Sequence, residues 1–181
     1  FNSDGFSLGN EGGHNENTQT FVSWCWKESA TAGFDIVTYT GNGSARTISH
    51  SLSAVPHLMI VKARSKSDGW MTYHHKNTSA PETDFIRIDI TDATDDNANM
   101  WNDTAPTSSV FTVGIDGGVN DNTETYIAYL WSQKQGFSKF GSYTGNGNAD
   151  GTFVFCGFSP SMVIYKNTED AQDWVIKDNK R

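Results

Sequence analysis

The sequence predicts an all-β fold, an antiparallel β-sandwich or jelly roll built from a duplicated unit of about 104 residues. Three observations predict it. Seventeen Gly, six Trp, six Tyr and eleven Phe stand beside few helix formers, a composition that favours strands and turns. Short β-branched or aromatic runs recur about every ten residues, divided by Gly, Asn, Asp, Ser and Pro. The chain also matches itself at a nearly constant offset.

In order, the runs at Thr20 to Lys27, Asp35 to Thr40, Leu58 to Ala63, Trp70 to His74, Phe85 to Ile90 and Val110 to Val113 each read as a strand. So do Thr125 to Trp131, Phe140 to Thr144, Thr152 to Phe158, Met162 to Lys166 and Trp174 to Lys177. Between Phe85 and Ile90 the pattern alternates, with Phe85 and Arg87 leaving one face and Ile86, Ile88 and Ile90 the other. Thr91 to Asn99 is polar and acidic and reads as a loop. Asn42-Gly43 and Asn146-Gly147 are tight-turn dipeptides, because both central positions of a type I′ turn need positive φ, and they predict two equivalent hairpins.

The repeat has two parts. Phe6 falls on Phe111, Gly12-Gly13 on Gly117-Gly118, Thr20 on Thr125 and Trp26 on Trp131, 105 residues on. Tyr39, Gly41, Asn42 and Gly43 then fall on Tyr143, Gly145, Asn146 and Gly147, Pro56 on Pro160 and Trp70 on Trp174, 104 residues on. One division of the chain gives a first copy at 1–110 and an incomplete second at 111–181. The alternative is an intact unit at 34–136, with 1–33 and 137–181 pairing to close a second lobe that leaves no open sheet edge. On either division residues 20–27, apolar on both faces, are expected to be buried, with any remaining edge closed by oligomer contacts.

Thirteen basic against twenty-one acidic residues give a net charge of −8, which repels phosphate backbones and anionic lipid. Nucleic acid is excluded as the natural partner class, and no apolar run approaches the roughly 18 residues of a spanning helix, so no membrane insertion is expected. Cys25 and Cys156 belong to no close Cys or His pair, which excludes a zinc knuckle. Reduced core cysteines or a disulfide between the two both fit the pattern.

The chain carries no nucleophile elbow, phosphate-cradling glycine loop or His-Glu-x-x-His helix, and no enzymatic function is expected. His74 and His75 end a strand and could pair with Asp84 or Asp89 for acid–base work, but their repeat counterparts are Asp178 and Asn179. A solvated strand end is the reading that the repeat favours. Asp92, Asp95 and Asp96 with Asn97, and Asp116, Asn120 and Asp121, form oxygen-rich loops of the kind calcium takes, although the spacing departs from the EF-hand pattern. Of the six tryptophans, Trp26 with Trp131 and Trp70 with Trp174 recur at equivalent places, as core residues do. Trp101, beside Asn102 and Asp103 at the end of the polar loop, is the candidate exposed ring for stacking on a sugar.

The string WNDTAPTSSVFTVG at 101–114, the TETYIAY strand after it and GFSKFGSYTGNG at 136–147 resemble a repeat family of virion appendage proteins of tailed bacteriophages, many of them marine. The first copy agrees through FDIVTYTGNG at 34–43, Val55-Pro56 and Met59 to Lys62. The resemblance implies a lectin-like sandwich in a tail-fibre-like protein at the virion surface, outside cells. It implies other virion proteins or copies of itself as partners and a host-surface glycan as ligand. It carries over no functional residue. This sequence departs from the family where a closing aromatic strand would follow residue 181, so a partial unit is expected there. A polysaccharide depolymerase on the same appendage, and a structural spacer or capsid decoration without ligand, are the rival expectations.

Overall fold

The computed structural model describes residues 1–21 and 23–180. Among the described residues, ten strands and three one-turn helices are formed: α1 (Gly12–Asn15), β1 (Phe34–Thr40), β2 (Arg46–Ser49), β3 (Leu58–Ala63), β4 (Trp70–His74), β5 (Asp84–Arg87), β6 (Asp95–Asp96), α2 (Ala98–Trp101), β7 (Val110–Val113), α3 (Gly117–Asn120), β8 (Thr125–Trp131), β9 (Met162–Tyr165) and β10 (Val175–Asp178). The fold is all-β, and every strand pair is antiparallel.

Six strands form one sheet in the order β1-β8-β3-β4-β5-β6, and β2 pairs with β7 as a separate two-stranded sheet. The last strand of the unit, β8, therefore lies between the first and the third. The core fills the space between the two sheets: Met59, Val61, Met71, Tyr73, Tyr126, Ala128 and Leu130 from the large sheet meet Ile48, Phe111 and Val113 from the small one. Met100 and Trp101 of α2 and Val119 of α3 close its ends. All of this lies within 34–131. A boundary at 110/111 would separate β1 and β3 from β8 and β2 from β7.

The Tyr-Thr-Gly-Asn-Gly segment at 39–43 does not form the expected hairpin. β1 pairs with β8 and β2 with β7, so the Asn-Gly turn is a corner that carries the chain from one sheet to the other. Asn120 locks that corner from inside. It is fully buried; its Nδ2 donates to Gly114 O at 2.7 Å and Ser44 O at 2.7 Å, and its Oδ1 accepts from Asn42 N at 3.0 Å. Gly41 is needed because a Cβ there would strike Asp121 O.

The flanking segments repeat the local geometry of the unit without its packing. Gly43 and Gly147 share φ of 69°, as do Thr18 and Thr123. In β3–β4 Val61 faces Met71, and in β9–β10 Tyr165 faces Val175, the same register 104 residues on. Yet residues 20–27 are not a strand and, apart from Val22, which lies outside the described residues, are exposed. Residues 140–144 and 152–158 likewise form no strand. The expectation that residues 20–27 are buried on both faces is thus overturned for the described ones: a run apolar on both faces becomes a strand only where another strand supplies its hydrogen bonds.

Candidate functional site: the outer face of the large sheet

Successive strand residues point to opposite faces, so the register sorts the face turned away from the core into three cross-strand rows. They are Phe34, Trp131, Leu58 and His74; Ile36, Tyr129, Ile60, Thr72 and Ile86; and Thr38, Ile127, Lys62 and Trp70. β-Branched and aromatic residues fill these rows because the strands need them on both faces to pair as inner strands of a sheet.

Aromatic rings touch in series across this face. Trp70 lies nearly parallel to Tyr129, with centroids 6.4 Å apart and an 11° interplanar angle. Tyr129 meets Trp131 at 6.3 Å, and Trp131 meets Phe34 at 4.9 Å. Trp26, from the preceding segment, sits edge-on against Trp131 at 5.9 Å and caps that end. The other end is open, with Trp70 37% exposed and Thr38 exposed beside it.

Polar groups rim the open end. Lys62 Nζ donates to Asp68 O at 2.7 Å, Trp70 N donates to Asp89 Oδ1 at 3.0 Å, and Arg87 pairs with Asp89 at 3.1 Å. Burial alone would raise the Asp89 pKa, but the Trp70 N–H and the Arg87 guanidinium together hold it below the usual carboxylate range. The result is a flat aromatic shelf with Lys62 beside it on the same face, while the Arg87–Asp89 pair lies at the neighbouring strand edge with Arg87 opposite Met71.

At the capped end the chain gathers three imidazoles. His57 and His75 meet at 4.5 Å, His74 and His75 at 5.4 Å, and Phe140 lies against His57 and His74. His57 Nδ1 accepts from Gln133 N at 3.2 Å, and the His75 Nε2–H donates to Phe140 O at 3.2 Å. Burial and then mutual repulsion depress His57 and His74, His74 to about 4, and burial depresses His75. The cluster holds the segment at 133–140 against the unit. His57, isolated in sequence, joins the expected pair only through β3–β4 pairing.

Trp101 is not the exposed ring its polar neighbours suggested. It is 1% exposed, its Nε1 donates to Asp84 O at 3.0 Å, and Tyr73 packs edge-on against it at 6.2 Å. Its polar neighbours reach the surface because Asn102 and Asp103 take positive φ, 54° and 45°, and turn the chain out to solvent. Trp26 and Trp70 are also not core residues, since both lie on the outer face and are exposed, while Trp131 and Trp174 are half-buried. Asp95 and Asp96 form β6 against Asp84 and Phe85, and Asp92 lies exposed before it. Among the described residues, no three His, Cys, Asp or Glu side chains converge to hold a metal ion. No helix among the described residues is long and apolar enough to cross a membrane. Sequence reasoning missed Tyr129 as a surface ring; its alternation with buried Tyr126, Ala128 and Leu130 was the available signal.

No curated protein and no solved structure matches the chain. A family model does match, over residues 1–181, and the chain belongs to that family, described as Domain of unknown function (DUF7483).

Proposed function

We propose that this chain is a host-surface attachment module of a virion appendage, binding carbohydrate on the Trp70–Tyr129 shelf and catalysing no reaction. The observation that carries the binding role is the near-parallel Trp70–Tyr129 pair at 6.4 Å, with Trp70 exposed and Tyr129 half-buried, beside Lys62 on the same face. A flat aromatic surface suits the apolar face of a pyranose, and the polar rim suits its hydroxyls. The appendage role rests on the resemblance of residues 101–114 and 136–147 to phage virion repeats. A ring contact of this kind is worth about 0.5–1.5 kcal/mol, so binding at one site is weak. Repetition on a multimeric appendage raises avidity by about 10² to 10⁴.

Titration of the chain with host-derived lipopolysaccharide and capsule oligosaccharides, followed by tryptophan fluorescence, tests the reading. Trp70→Ala is expected to weaken binding about tenfold, equivalent to about 1.4 kcal/mol, with the melting temperature little changed. Binding that survives Trp70→Ala and Tyr129→Ala unchanged, or no binding to any surface glycan, overturns it. Release of reducing ends during the titration would point instead to a depolymerase.

A further inference from the structure

The two cysteines of the chain stand at the counterparts of two core leucines. TFVSWCW at 20–26 aligns with TYIAYLW at 125–131, which sets Cys25 on Leu130. Between the shared Tyr-Thr-Gly-Asn-Gly and the shared proline, residues 143–160 align without a gap on 39–56, which sets Cys156 on Leu52. Local geometry supports the second match: Ser53 and Gly157, each the next residue, both take positive φ, 54° and 82°.

In the intact unit Leu52 and Leu130 are 1% and 0% exposed and belong to one core cluster. Asp35 links them. It faces Leu130 across the β1–β8 pair, and its Oδ2 accepts from Ser51 N, next to Leu52, at 2.6 Å.

The segments that carry the cysteines are complementary in two further ways. β8 lies between β1 and β3, and among the described residues its counterpart at 20–26 has no strand partner, nor has the edge of β9 that corresponds to the β8-facing edge of β3. Asn120 holds the Gly41-Asn42-Gly43 corner, and its counterpart Asn15 already makes the equivalent first bond: Asn15 Nδ2 donates to Gly9 O at 2.6 Å as Asn120 Nδ2 does to Gly114 O. The matching corner, Gly145-Asn146-Gly147, is exposed. Both segments also leave the unit at one point, where Ser132 N donates to Gly33 O at 2.9 Å.

We propose that Cys25 and Cys156 form a disulfide that staples residues 6–26 onto residues 137–178 of the same chain, as a second copy of the core made by 34–131. The reaction is thiol–disulfide exchange with a small disulfide oxidant such as oxidised glutathione. Two S–H bonds break and one S–S bond forms. Two electrons and two protons pass to the oxidant, which leaves as two thiols.

The test uses the full chain in a buffer containing oxidised glutathione. The expected product is a monomer lighter by two hydrogens in the intact mass, with a protease fragment joining Cys25 to Cys156. Its rate should be independent of protein concentration. A cross-linked dimer, or two thiols that stay open to maleimide in the folded protein, overturns the proposal. A second variant checks the template. Leu52→Cys with Leu130→Cys, in a chain carrying Cys25→Ser and Cys156→Ser, should close a disulfide inside the intact unit. If it does not, the equivalence on which the proposal rests is wrong.

Discussion

Replacing Asn120 by Ala would remove the lock on the corner between the two sheets. The side chain is fully buried and satisfies the carbonyls of Gly114 and Ser44 and the N–H of Asn42. Truncation leaves these three backbone groups without that partner. A buried polar group left unpaired costs about 1–3 kcal/mol. Partial exposure of the corner at Asn42 and Ser44 lets water reach two of the three, so the loss is about 3 kcal/mol rather than the full sum. For a unit of this size each kcal/mol moves the melting temperature by about 4–8 °C, so a fall on the order of 15 °C is expected. The repeat supplies an internal control. Asn15 is the counterpart of Asn120 and makes one bond of the same kind, but on an exposed segment. Asn15→Ala should therefore change stability by no more than about 0.5 kcal/mol. Thermal and urea melts followed by far-UV circular dichroism measure both. Equal effects of the two substitutions, or a loss below about 0.5 kcal/mol for Asn120→Ala, would refute the corner as a point of stability.

The same contrast is expected at the glycines. Gly41→Ala drives a Cβ into the Asp121 carbonyl and should lower the melting temperature, whereas Gly145→Ala, with open space around it, should not; paired melts decide. Acid should weaken the unit through the histidine cluster. His74 is depressed from 6.5 to about 4, so between those values the unfolded chain binds the proton that the folded chain refuses. Stability is complete above about 6.5 and falls as pH drops toward 4, by about 3 kcal/mol at most. In urea melts from pH 7 to 4, His74→Leu should flatten this slope; a slope unchanged in the variant would assign it elsewhere.

Much of the unit was legible because its inner strands carry strong local signals. Leu58 to Ala63, Trp70 to His74, Val110 to Val113 and Thr125 to Trp131 are strands with the limits that their β-branched and aromatic runs set. Arg46–Ser49 was not legible, since a four-residue run with one apolar side chain has no period to read. The same signals over-read Thr20 to Lys27, Phe140 to Thr144 and Thr152 to Phe158, where among the described residues no neighbouring strand lies alongside. The Asn-Gly pair marked a turn correctly, yet a turn signal does not say whether the chain returns along its own sheet or crosses to another. At the site, Trp101 misled because neighbours in sequence are weak guides to burial when two positive-φ residues redirect the chain just after it. Tyr129 and Trp70 come together only through the register of β8, β3 and β4, which no local pattern encodes.

The placement of β8 between β1 and β3 bears on how the unit is made as well as on how it stands. Its partners are strands roughly 70 to 90 residues earlier in the chain, so the sheet has a high contact order and cannot close until the last strand has been synthesised. Until then β1 and β3 wait with facing edges open. Residues 20–26, already synthesised and close in sequence pattern to β8, can enter that gap first. Correct assembly becomes a race between two segments of like pattern that share Thr and Trp at their ends, and the differences between them act as the sorting code. Tyr126, whose hydroxyl binds Gly117 O and Asp121 N, is replaced by Phe21, and Leu130 by Cys25. The wrong strand would bury a thiol where the core has a leucine and leave the Gly117 carbonyl and the Asp121 amide unanswered, so β8 is the better-fitting occupant of that gap.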